Sequence, residues 1–266
     1  MQRMLGTVLI ALTLVVFPSL TYADHSWGTY HWARTGNPFT LMLGDNVSSA
    51  WDSYLGTTST DWSVSSVLNT TIVAGRATKP RQCRPTSGRV EVCATTYGNT
   101  GWLGVAQIWV SGSHITQGSV KNNDTYFKTA KYNTEAWRNL VMCQEVGHTL
   151  GLDHQDENFS NVALGTCMDY SNDPAPNQHP NAHDYEQLET IYAHLDTTTT
   201  VGQSTSTGKG KAPPAMTDID FETPAQWGRL MRSSHGGRTE LYELDFGGGH
   251  KIFTFVIWAQ EARGRR

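Results

Sequence analysis

Gln144-Glu145-Val146-Gly147-His148-Thr149-Leu150-Gly151-Leu152-Asp153-His154 is the stretch on which the reading of this chain turns. Residues four apart on a helix lie one above the other, so a helix here brings the side chains of Gln144 and His148 to one point, with Glu145 beside them. Gly151 can take the left-handed conformation that ends a helix, and the chain beyond it then carries His154 back toward the same point. An amide oxygen and two imidazoles are three protein ligands, and three ligands with one open position make a catalytic metal site. Gln144, His148 and His154 are therefore the expected ligands and Zn2+ the expected cofactor. The amide of Gln144 is a weaker zinc ligand than an imidazole, so another divalent transition metal is also admitted. Zinc lowers the pKa of its bound water to about 7, and a neighbouring carboxylate takes that proton. Glu145 is the expected general base.

The same residues resemble the signature of the metzincin metalloendopeptidases, HExxHxxGxxH followed by a turn containing methionine. This chain reads QExxHxxGxxH, as the gametolysin-type members of that group do, and Thr166-Cys167-Met168-Asp169-Tyr170 looks like the Met-turn. The resemblance implies an α+β fold with a twisted mixed sheet, an active-site helix and a C-terminal helix. It also implies that Met168 floors the metal and that Tyr170 is an auxiliary catalytic residue able to support an oxyanion.

Working outward, Thr134 can cap the helix that ends at Gly151, with Glu135 in its first turn. Phe39 to Leu43, Ser66 to Val73, Arg89 to Thr96, Ala106 to Val110 and His114 to Val120 have the β-branched and apolar content of strands. Val47, Ala50, Trp51, Tyr54 and Leu55 fall on one helical face, as do Leu188, Ile191, Tyr192 and Leu195 near the end of the main domain. Residues 197–215 turn to threonine, glycine, serine, lysine and proline, which cannot repay the entropy of ordering, and read as a flexible linker. A small β-rich segment, 216–266, follows. Leu241 to Phe246 and Ile252 to Trp258 flank Gly247-Gly248-Gly249 as a hairpin that either packs in its own small module or docks on the main domain.

At the other end, Arg3, an apolar run from Leu5 to Phe17 and the small residues around Ala23 read as a signal peptide, 1–23, ahead of a catalytic domain, 24–196. Export makes the four cysteines disulfide candidates, and of the three possible connectivities Cys83 with Cys93 and Cys143 with Cys167 is preferred. A net charge of -4 without long runs of one sign gives no reason to expect nucleic acid or a membrane surface as partner. The expectation is a secreted, extracellular, monomeric metalloendopeptidase acting on protein or peptide. The alternative is a metal-binding or adhesion module in which Gln144 has impaired the same site.

Overall fold

The structure, a computed structural model, describes residues 24–158, 161–170, 172–202, 213, 216, 222–234 and 236–260. The expected signal peptide lies outside the described residues, as does most of the expected linker. The elements in chain order are β1 (His31–Trp32), β2 (Phe39–Asn46), α1 (Asp52–Trp62), β3 (Leu68–Ala74), β4 (Val90–Thr95), β5 (Trp102–Ser111) and β6 (His114–Asn123). Then come α2 (Asp124–Phe127), α3 (Glu135–Thr149), α4 (Ala182–Ile191), a short 3-10 turn at Pro224–Gln226, β7 (Arg229–Ser234), β8 (Thr239–Asp245) and β9 (His250–Trp258).

The strands form one mixed sheet in the order β3-β2-β4-β6-β5-β9-β8-β7, with β1 paired to β6. β1, β2, β3, β4 and β6 pair in parallel, whereas β5 runs antiparallel to β6 and to β9. The fold class is thus α+β, with all five expected strands of the main domain present as β2 to β6. The hairpin of the tail docks: β9 pairs along β5 from Trp102↔Trp258 to Ser111↔His250, and β8 and β7 continue the sheet outward. The start of the expected linker also lies against the sheet, because the amides of Thr200 and Gly202 donate to the carbonyls of Ala33 and Gly88.

β5 and β9 read as nearly continuous apolar runs because both of their faces are covered. Leu103, Ala106 and Ile108 of β5 join Phe253, Phe255 and Ile257 of β9 in the core beneath the helices. Val105 and Trp109 alternate to the opposite face, where they meet Ile252, Val256 and Trp258, with Trp227 and Tyr242 closing a second cluster. This period of two is what a strand imposes on successive side chains.

Two expected helices are shorter than their apolar spacing suggested. Val47 and Ala50 precede α1, since the Asp45 carboxylate accepts from the Val47 amide and holds that turn out of the helix. α4 stops at Ile191: the Tyr192 carbonyl is taken by Arg34 at 2.7 Å and by Asn37 at 2.9 Å, and Leu195 lies beyond the helix, exposed. Both expected disulfides form, Cys83–Cys93 and Cys143–Cys167. Among the described residues no helix is long and apolar enough to cross a membrane.

Candidate functional site

α3 forms where the sequence places it. The Thr134 side chain accepts from the Trp137 amide as N-cap, and Gly151, at φ 103°, turns the chain after the last helical residues. A side chain at 151 would strike the Tyr30 carbonyl, its Cβ only 2.9 Å away. Three tryptophans secure the helix's later carbonyls: the indole nitrogens of Trp62, Trp27 and Trp32 donate to Cys143, His148 and Thr149. The carbonyl of Thr149 is one that the helix end otherwise leaves orphaned.

The expected ligands and base lie on this helix and in the turn after it. Gln144, Glu145 and His148 are each 1 % exposed. The Gln144 amide nitrogen donates to the Cys167 carbonyl at 2.8 Å, which fixes the orientation of the amide, and its oxygen is buried without a partner. Nδ1 of His148 lies 2.9 Å from the Leu152 carbonyl, and a carbonyl only accepts, so Nδ1 carries the proton and Nε2 the lone pair. The His154 ring stands 4.5 Å from that of His148, nearly perpendicular to it. Its Nδ1 is held by the Tyr170 hydroxyl at 2.7 Å and by Asp153 at 3.3 Å. Because the Asp153 carboxylate is an acceptor, Nδ1 of His154 is again the protonated nitrogen. Tyr170 is therefore at the site, with its hydroxyl against His154.

Burial pushes the Glu145 carboxyl well above its ordinary range, overriding a hydrogen bond with the Ala106 backbone, and its Oε2 is buried without a partner. Burial, followed by the proximity of His154, holds the His148 imidazole well below its usual value, and burial lowers His154 as well. Burial raises Asp153, but hydrogen bonds from His154 and Arg232 outweigh it and keep this carboxyl strongly acidic.

Met168 is fully buried beneath the helix: a Cβ on Gly147 would come within 2.6 Å of its sulfur. The Cys143–Cys167 bridge ties that turn to α3 one residue before Gln144. Lone buried oxygens on Gln144 and Glu145, with ring nitrogens whose partners are spent on the far side, fit a divalent cation held by Gln144, His148 and His154. Buried polar atoms otherwise find partners.

Three residues at the site carried no signal that singled them out in the sequence. Gly104 of β5 faces Glu145, where an added Cβ would stand 2.7 Å from Oε1, so only glycine leaves the carboxylate its place. Phe255 of β9 pairs across from Ala106 and lays its ring flat on His148, 4.1 Å between centroids and 12° between planes. Arg232 of β7 reaches Asp153 at 2.5 Å and Glu157 at 2.9 Å, filling with a guanidinium the acidic pair beside His154. The alternation in β9 could have marked Phe255 as facing the core, but not which core residue it would cover. Compared with models of known protein families and with curated proteins, the sequence matches none.

Proposed function

We propose that the chain is a secreted metal-dependent endopeptidase of the metzincin type, in a form closed by its own C-terminal strands. The observation that supports the reading is the donor set on α3, with the unpartnered Gln144 oxygen and the lone pair on His148 Nε2 on one helix face, His154 adjoining and Glu145 alongside. A bound divalent cation supplies Lewis acidity, acidifying a water and polarising the scissile carbonyl. Glu145 takes the proton from the attacking water at its carboxylate and returns it to the leaving nitrogen. Tyr170, beside His154, is placed to donate to developing negative charge once its hydroxyl leaves Nδ1. The two disulfides support an oxidising compartment outside the cytoplasm, and the substrate is a protein or peptide strand.

The closed form follows from what covers the site. Phe255 blocks the approach to His148, and β9 occupies the edge of β5 along which an extended peptide would pair. The same cover, together with Gln144, favours the second reading, a metal-binding module without turnover.

The test is cleavage of unfolded casein by the zinc-loaded full-length protein and by Phe255→Ala, with and without a chelator. Chelator-sensitive cleavage is expected, absent in Glu145→Gln although that variant keeps its ion. If casein survives both proteins while Gln144→His cuts it, the second reading replaces the first.

A further inference from the structure

Where β1, the β5–β6 turn and the chain after α4 meet, a second group of metal-ligating side chains converges. His31 belongs to β1 and pairs in register with His114 at the start of β6. His194 and Asp196 follow α4. Nδ1 of His31 lies 2.9 Å from the Thr29 carbonyl, so that nitrogen is protonated and, in the neutral ring, Nε2 carries the lone pair. Nε2 faces His194 Nε2 at 3.1 Å and Asp196 Oδ1 at 3.4 Å, while His194 Nε2 is 3.8 Å from the same Oδ1. The other oxygen of Asp196 is occupied by Arg34, whose guanidinium lies 3.0 Å away and whose backbone amide lies 3.2 Å away.

Three atoms able to ligate thus crowd together, and the outer sides of His31 and Asp196 are already bonded. Ligand atoms set tetrahedrally around zinc at about 2.0–2.1 Å stand about 3.3–3.4 Å apart, and the three observed separations bracket that edge. A proton on His31 Nε2 accounts for its contacts with His194 and Asp196; a cation at the centre accounts for these and for the approach of His194 to the same carboxylate. Two imidazoles and one carboxylate are a ligand set that zinc accepts.

We propose that His31, His194 and Asp196 form a structural site for a zinc-class divalent cation, independent of the site on α3. His114, with Nε2 3.2 Å from Asp196 Oδ1, holds the carboxylate from outside the ligand set. The ion fastens β1 to the end of α4. Because Trp32 of β1 donates to the Thr149 carbonyl and the Tyr192 hydroxyl to that of Leu150, this fastening braces the C-terminal end of α3.

The test is zinc stoichiometry of the full-length protein, equilibrated with a slight excess of zinc chloride, passed over a desalting column and measured by elemental analysis. His194→Ala is the mildest probe, since that side chain is 55 % exposed. It is expected to hold one ion fewer than the wild type and to lose the rise in Tm that zinc gives. A His148→Ala/His154→Ala variant keeps the ion in question, so failure of the α3 reading and failure of this one are separate results. His114→Ala weakens this ion about tenfold or more, as loss of a group that orients a ligand does. Equal zinc content in His194→Ala and wild type overturns the proposal. If the double variant does not fold, the comparison of His194→Ala with wild type decides alone.

Discussion

Replacing Phe255 by alanine separates a cover from a mere core residue. The ring is 1 % exposed and stacks on His148, so its removal costs about 3–5 kcal/mol, the range for deleting a buried aromatic side chain. For a chain of this size each kcal/mol lowers Tm by about 2–4 °C, which puts the expected fall at roughly 6–12 °C at the lower end of that range. If β9 must leave β5 before a peptide can enter, the same loss favours the opened state, and about 3 kcal/mol is about two decades in its population. Zinc-loaded Phe255→Ala should therefore cleave a fluorogenic peptide about a hundredfold faster than wild type wherever opening limits turnover. Global loosening is excluded with Phe127→Ala, an equally buried ring that packs on Trp51 at 4.8 Å, away from α3's metal-facing side. Hydrogen exchange of the β5 amides reports the opening directly. The reasoning is refuted if Phe255→Ala loses the expected stability and turnover does not rise, or if Phe127→Ala raises it equally.

Other perturbations have definite outcomes. Gly104→Ala drives a methyl into the Glu145 carboxylate and Val141, and should cost about 1–3 kcal/mol in urea unfolding and abolish peptide cleavage. Replacing Cys143 and Cys167 by serine opens a loop of sequence separation 24 and should cost about 3–4 kcal/mol by the loop-entropy relation, seen as a lower urea midpoint. Burial lifts the Asp184 carboxyl to about 6, against hydrogen bonds from Thr166 and Asn181. With its folded value raised above that of an exposed aspartate, this group's contribution is fully present below about pH 4 and is lost as pH rises through about 6, roughly 3 kcal/mol in all. Urea unfolding between pH 4 and 7 should show that decline, and Asp184→Asn should flatten it.

The helix with Gln144, Glu145 and His148, the turn at Gly151 and both cysteine pairings were legible because each is a local rule: a period, a cap, a spacing. β2 to β6 were legible from their β-branched content. What escaped were the relations between distant segments. Nothing local says that β9 will pair with β5, that Gly104 must be bare to admit Glu145, or that Arg232 will sit on Asp153. The end of α4 shifted for the same reason, since a side chain from elsewhere, Arg34 on the Tyr192 carbonyl, outweighed the apolar spacing, whereas the start of α1 yielded to a local contact, Asp45 on the Val47 amide. β1 was too short to register as a pattern, and His31 and His194 were uninformative singly because their meaning lies in being neighbours across the chain.

The pairing of β5 with β9 also bears on how the molecule is made. Gln107 and Thr254, neighbours across that ladder, are 147 positions apart in sequence. During synthesis the ribosome must deliver the chain through Trp258 before the bare edge of β5 finds its mate. Until then a row of unpaired amides flanked by Trp102 and Trp109 invites intermolecular strand addition. Such late closure makes folding slow, and a nascent product cut short before His250 is a candidate for chaperone capture.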